Sequence, residues 1–351
     1  MIKTNQRQQK LISLFLKNKT LSSSAVHTEM VKSGDSLSLV TVKRLLSALA
    51  DTGLVKVLGS GRSTNYSITT GGRVLADVSA QGYCAIEPDK RYGLRQYNFE
   101  LLSEFPADIF SEQELNTLET ATVKYRGSIK DLSPARQKKE LERLLIEFSW
   151  KSSKIEGNTY TLLDTEKLIL EHKVADGKTK EETQMILNHK DAFNFVRENK
   201  SQFKTVKRQS LEALHAILVK DLSIDRGLRK RPVGVIGSIY RPLDNVYQIG
   251  EALEVLKKSI SKAVSPYAKS LLALLELAYI QPFEDGNKRT ARLTANAILL
   301  AYNLAPLSYR SVDEVKYREA MLVFYELNSI IPLKRIFIEQ YEFAANNYAV
   351  K

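Results

Sequence analysis

Hydrophobic residues recur at helical spacing over most of this chain and at strand spacing in few places. Gln8 to Leu16, Ser22 to Lys32 and Ser38 to Ala50 are three short helix-period segments near the start. Ser22 or Ser23 is placed to cap the second. Leu54 to Leu58 and Ser63 to Ile68, joined through Gly59-Ser-Gly-Arg62, read as a hairpin. The segment from Thr69 to about Pro106 reads as short strand and loop. From Ser111 on the period is helical again: Leu115 to Tyr125, Pro134 to Lys151, Thr165 to Glu171, Val315 to Leu327 and Leu333 to Tyr348. Ser270 to Ile280 is apolar nearly all round, which predicts a buried helix. The exceptions are the loop Val174 to Thr179 and one short alternating stretch, Pro232 to Pro242. No internal repeat and no low-complexity tract interrupts this order.

Three helices and a hairpin make a winged helix-turn-helix over residues 1–70. A connector over 71–110 and a helical domain over 111–351 follow. Charge sharpens the first of these. Residues 1–68 hold ten Lys/Arg against three Asp/Glu, a net +7 of the chain's +12. A third helix carrying Thr41, Lys43 and Arg44 outward, with Arg62 on the wing, predicts binding to double-stranded DNA in the major groove. The plainer alternative is a winged helix used for docking or dimerisation.

The densest chemistry lies at Gln281-Pro-Phe-Glu-Asp-Gly-Asn-Lys-Arg-Thr-Ala-Arg292. The Gln281-Pro282 step ends the apolar helix, because the residue before a proline is pushed out of the α region. A second helix starts near Asn287. Orphan N–H groups around Gly286 and Asn287, the positive end of a helix dipole, and Lys288 and Arg289 beside them form an anion site. Asp285 is the carboxylate placed to bring a divalent cation to the same phosphates. Arg289 is suited to clamp a terminal phosphate, and Arg292 lies one turn on. The plainer alternative is an ordinary helix start with basic residues.

This segment resembles the signature of the Fic family, H-x-F-x-[DE]-G-N-[GK]-R-x-x-R, at every fixed position except the first. Two further segments agree. Ser152-Ser-Lys-Ile-Glu-Gly157 is similar to the family's inhibitory [ST]-x-x-x-E-[GN] motif, and Pro232 to Pro242 resembles its flap. The resemblance implies a mainly α fold: the winged helix, then an all-α Fic domain with a small β-hairpin flap. It places the inhibitory helix at about 136–157, the flap at about 232–248 and the motif at 281–292. It further implies transfer of AMP from ATP to a Ser, Thr or Tyr hydroxyl of a target protein docked on the flap. Asp285 would hold Mg2+; Gly286, Asn287, Lys288, Arg289 and Arg292 would hold the nucleotide. Glu156, with Ser152 and Gly157 in its motif, would reach Arg292 and obstruct the γ-phosphate.

Gln281 stands where the family has its histidine base. An amide cannot take up a proton near neutral pH, and losing a positioned base typically costs ~10²–10⁴-fold in rate. His189 and His215 sit in apolar-periodic helices and read as structural. Hence the expected protein is a self-inhibited adenylyltransferase, inactive or impaired as written; the alternative is a non-catalytic, nucleotide-sensing DNA-binding regulator.

One cysteine, Cys84, excludes an internal disulfide and suits a reducing compartment. Leu11 to Leu16 is too short for a signal-peptide core, and no run approaches membrane length. The expected location is the cytoplasm, away from membranes, with homodimer formation left open.

Overall fold

A computed structural model describes residues 4–130 and 132–350. They form two compact units that do not follow chain order. The first runs up to Pro106 and adds Val235–Arg241 and Glu319–Lys334; the second holds Ala107–Gly234, Pro242–Arg318 and the chain from Arg335 on.

In the first unit, α1 (Gln6–Lys17), β1 (Leu21–Ser22), α2 (Ser23–Lys32), α3 (Leu39–Asp51), β2 (Val55–Leu58) and β3 (Asn65–Ile68) follow in order. Ser22, one of the two expected caps of α2, accepts from Ala25 N, and Ser38 caps α3 in the same way by accepting from Thr41 N. Leu11, Ile12 and Phe15 of α1, Val26 and Met30 of α2, and Val42, Leu46 and Leu49 of α3 are the buried apolar faces. The antiparallel sheet has the order β1-β3-β2, with Val55 opposite Ile68 and Leu21 opposite Tyr66. β1 is two residues long and carries no alternation, which is why its pairing is invisible in the sequence.

Two expectations are corrected in this unit. The segment after β3 contains no strand among its described residues: it forms α4 (Thr70–Val74), α5 (Ala80–Cys84) and a 3-10 turn at Pro88–Lys90. Thr69 and Ser79 hydroxyls cap the two short helices, so local side-chain bonds outweigh weak strand propensity. Residues 71–106 therefore pack with the N-terminal elements. The expected hairpin at the flap is a single β-turn without paired strands. Ser238 N donates to Val235 O at 3.0 Å, and Gly237 takes the positive φ of 75° that this turn requires. Side chains satisfy its backbone in place of a second strand. Arg91 Nη1 donates to Gly237 O at 2.8 Å. Glu326 Oε1 accepts from Ser238 Oγ at 2.8 Å and Ile239 N at 3.2 Å.

The second unit is helical: α6 (Glu112–Lys130), α7 (Pro134–Ile155), α8 (Leu162–Glu171), α9 (Lys180–Glu198), α10 (Arg208–Leu218), α11 (Val246–Lys262), α12 (Pro266–Ile280) and α13 (Asn287–Ala301). α14 (Glu314–Leu327) and α15 (Ile331–Asn347) follow, and the residues of each are divided between the two units. α12 is the centre. Nearly every residue from Tyr267 to Ile280 is buried, against α11 on one side and α13 on the other. A helix apolar on all faces has no solvent side to offer, so it fixes the position of the loop that follows.

Glu276 is the exception on α12. It is fully buried, with Ser259 Oγ at 2.5 Å from Oε1 and no hydrogen bond to Oε2. Burial drives its carboxyl well above the ordinary range. The folded value exceeds the unfolded one, so the stability contributed by the neutral acid is present in mild acid and declines as the unfolded chain ionises. Glu276→Gln is therefore expected to match the parent near pH 4. At pH 8 it should exceed it by at least about 1 kcal/mol, the worth of one pKa unit. Urea unfolding at both pH values measures this; equal destabilisation at both would show that the carboxyl is ionised in the fold.

Candidate nucleotide site

The α12–α13 loop is locked from several directions. Gln281 ends α12 in the left-handed region, φ 51°. Its side-chain Nε2 folds back onto Ala278 O at 2.6 Å. Its own carbonyl accepts from Arg229 Nε at 2.6 Å, and Pro282 O accepts from Arg229 N at 3.0 Å. The guanidinium of the buried Arg229 also donates to the carbonyls of Arg231 and Leu243. Asn287 closes the loop: Oδ1 accepts from Phe283 N and Nδ2 donates to Phe283 O, both at 2.8 Å. Gly286 holds φ 77° at the N-cap of α13, a conformation that L side chains rarely adopt, and no side chain caps that helix.

His215 lies under this loop. Its ring stacks on Phe283 with centroids 3.9 Å apart, and Nε2 faces Asp285 O at 2.9 Å. A carbonyl only accepts, so Nε2 carries the proton. Nδ1 is buried without a hydrogen bond, and burial, with Arg289 nearby, pushes the ring's pKa down to about 4. A neutral ring whose free nitrogen is enclosed supports the loop and cannot serve as the missing base. His189 is likewise buried, edge-on to Phe148 at 4.6 Å, with burial pushing its pKa well down.

The charges converge on the N-terminal turns of α13. Arg289 is only 2% exposed; its Nη2 meets Asp285 Oδ2 at 3.2 Å, and Nη1 is buried with no hydrogen bond. Burial pulls the Arg289 guanidinium below its usual range. Asp285 is 64% exposed, so its other lone pairs face solvent. Arg292, fully buried, is encircled. Nε donates to Ser152 Oγ at 2.9 Å, Nη2 to Ser152 O at 2.8 Å, and its guanidinium stands 5.8 Å from the Tyr317 ring centre. Nη1 lies 2.8 Å from Glu156 Oε1, an ion pair whose angle falls outside hydrogen-bond geometry. Lys288 Nζ approaches Glu156 Oε2 at 3.4 Å from the other side. Burial pushes the Glu156 carboxyl up, but Arg292, Lys288 and Arg289 outweigh it and hold it below the usual carboxylate range. The segment Ser152–Gly157 thus lies at the end of α7, which stops at Ile155 with Glu156 as C-cap, and Gly157 follows at φ 99°. Lys151 pairs with Glu314 at 2.5 Å and Arg310 with Glu147 at 3.1 Å, fastening the same helix.

This arrangement suits a polyphosphate. An uncapped helix N-terminus, a buried guanidinium nitrogen without a partner and a solvent-facing carboxylate stand within one turn of each other. The donor set also fits Mg2+, since that ion takes one carboxylate, phosphate oxygens and waters rather than a protein cage. Among the described residues no group of three His, Cys, Asp or Glu side chains is arranged to hold a metal.

The structure brings together Gln281, Asp285, Gly286, Asn287, Lys288, Arg289, Arg292, Ser152 and Glu156. Asn287 offers its backbone only, because both side-chain atoms hold the loop. Arg292 and Lys288 are engaged by Glu156. Arg229, His215 and Tyr317 have no motif signal in the sequence. In the other unit, Lys43 and Arg44 are exposed on α3 and Arg62 is exposed in the 3-10 turn between β2 and β3. Thr41 is less available than expected: its hydroxyl lies 3.0 Å from Ser38 Oγ at the helix start.

The turn at the start of α13 is thus an anion-ready site with an acid held against its second arginine. Residues 205–299 match the model of the Fic/DOC family. The chain is similar to the protein adenylyltransferase Fic of Aedes aegypti, 28% identical over 205 residues, which are 57% of this chain and 41% of that protein. The protein adenylyltransferase Fic of Nematostella vectensis is 29% identical over 188 residues, 52% and 44% of the two. The chain thus spans less than half the length of these curated relatives. Among solved structures, Fic-1 (residues 134–508) from C. elegans superposes with a TM-score of 0.56 at 19% identity, over 67% of this chain and 70% of that one. A Fic domain-containing signaling protein from Bacteroides thetaiotaomicron gives 0.55 at 20%, over 66% and 94%. At these identities the structures speak for the fold. No helix of the described residues is long and apolar enough to cross a membrane.

Proposed function

We propose that this chain binds ATP with Mg2+ at the α12–α13 turn, in a protein adenylyltransferase site that Glu156 holds off and that Gln281 deprives of its base. The observation carrying this is the Arg289–Arg292–Glu156 arrangement. One guanidinium has a buried nitrogen without a hydrogen bond, and the next is tied to an acid from a helix more than 130 residues earlier. By resemblance the target hydroxyl comes from a protein docked along the turn at Val235–Ser238. Asp285 would hold the metal, which supplies charge neutralisation at the phosphates. Gly286, Lys288 and Arg289 hold and orient those phosphates, and Ser152 keeps Arg292 in place. The first unit is read as a DNA-binding module. A sensor without transfer is the second reading, favoured by the Gln281 amide, which is bonded to Ala278 O and is no base.

Calorimetric titration of the chain and of Glu156→Gly with ATP and Mg2+ tests the site. Removing the acid leaves Arg292 without its ion-pair partner, so the variant is expected to be less stable when free. It should bind ATP at least about tenfold more tightly, and a ligand at 100 times its Kd should add about 2.7 kcal/mol of stability. Equal affinities would remove Glu156 from the site.

A further inference from the structure

The first unit contains a cleft of about 930 Å³ that the nucleotide site does not use. One wall is the sheet side of the N-terminal elements, with Lys19 before β1, Lys56 on β2 and Arg73 on α4. The other is the extended segment 93–100, which contributes Arg95, Tyr97 and Phe99. Lys19, Lys56 and Arg95 thus face two carboxylates, Glu100 and Glu104, and Glu100 already accepts from Thr70 Oγ1 at 3.2 Å. Lys19, Lys56 and Arg95 make no side-chain ion pair or hydrogen bond with any described residue. A concave site with an excess of one sign focuses its field on a ligand of the opposite sign. The two rings give the cleft a second property. Phe99 is 64% exposed, an unusual position for a side chain of its size, and meets Tyr97 edge to face at 5.1 Å and 76°. With most of its surface exposed, Phe99 has apolar area left over for a planar group beside Tyr97.

We propose that this cleft binds a small anion bearing one aromatic ring. Phe99 and Tyr97 take the ring, and Arg95, Lys56 and Lys19 take the charge. The volume lies in the range of small-ligand sites, about 300–1,000 Å³. A mononucleotide and an aromatic carboxylate share this chemistry. An occupant would touch β2 and α4 at the root of the wing, so it is an effector of the unit that carries α3. This goes beyond the reading of the nucleotide site and does not depend on it.

The test is calorimetry of the full chain with AMP, benzoate and inorganic phosphate. Each is titrated into the parent, Arg95→Glu, Phe99→Ala and Arg289→Ala; Arg95 and Phe99 are exposed, so neither substitution threatens folding. Binding of AMP or benzoate should weaken at least tenfold in Arg95→Glu and in Phe99→Ala, and stay unchanged in Arg289→Ala. Which of the two binds identifies the source of the ring. Phosphate alone should bind at least tenfold more weakly than the ring-bearing probe. The proposal is overturned if no probe saturates, if phosphate binds as well as AMP, or if Arg289→Ala alone abolishes binding, which would place every AMP at the α13 turn. It is also overturned if Phe99→Ala costs affinity for duplex DNA while small-molecule binding is absent. Cleft binding that saturates in the parent while ATP–Mg2+ shows no binding that Arg289→Ala weakens would count against the nucleotide-site reading only.

Discussion

Gln281→His combined with Glu156→Gly is expected to raise AMP transfer by about 10²–10⁴-fold over the chain as written, the typical worth of a positioned general base. The reasoning is geometric. Position 281 is fixed by the end of α12, by proline on its C-terminal side and by Arg229 on its carbonyl. An imidazole there inherits a defined backbone, and its pKa can lie near neutral pH, where an amide has none. The Ala278 carbonyl that now accepts from the glutamine amide offers an acceptor for one ring N–H, leaving the other nitrogen as base. Glu156→Gly acts on a separate term: it frees Arg292 and Lys288 from the acid that engages both. Neither change alone should match the pair, since an open site without a base is slow and a base beside an obstructed phosphate is idle. Labelled ATP with purified protein measures the result, read first as self-modification. If the double variant binds ATP and labels neither itself nor any protein of a lysate, transfer is not the function, and the sensor reading replaces it.

Duplex DNA is expected to bind the first unit with a steep salt dependence that weakens as its exposed cations are removed. Lys43, Arg44 and Arg62 are exposed and make no ion pair with a described acid, so their charge is available to phosphates. Each phosphate contact contributes ~0.9 to the slope of log affinity against log salt. The triple alanine variant should therefore lower the magnitude of that slope by about 2.7, three contacts' worth. Over a fourfold change in salt this amounts to roughly 40-fold less loss of affinity. Thr41, held at the cap by Ser38, should matter little. Gel shifts at stepped salt concentrations decide it. No retardation of any duplex at low salt would return these helices to the docking role.

Local rules carried much of this protein. Ser22, Ser38 and Thr161 stand where a serine or threonine must cap a helix, and each does, because a cap needs only neighbours three residues away. The Gln281-Pro282 stop and the turn at Gly286 follow from steric exclusions confined to a dipeptide. The apolar run from Ser270 to Ile280 had to be interior. The motif residues 285 to 292 come together for the same reason, since a short loop and the first two turns of α13 hold them all.

What failed locally was decided by groups far apart in the chain. Pro232 to Pro242 alternates like a strand, yet Arg91 and Glu326 satisfy the backbone of its turn, and a strand that finds side-chain partners has no need of a ladder. The role of Arg229 rests on three carbonyls spread over about fifty residues. The neutrality of His215 and Glu276 rests on burial, which no spacing encodes. Most of all, the motif suggested that Glu156 faces Arg292, but only tertiary packing adds Ser152 of α7, Tyr317 of α14 and Lys288 of α13 to the ring around that pair. The sequence by itself determined which atoms carry the chemistry; the tertiary structure decided which of them are already spoken for, because desolvation and pairing depend on every neighbour at once.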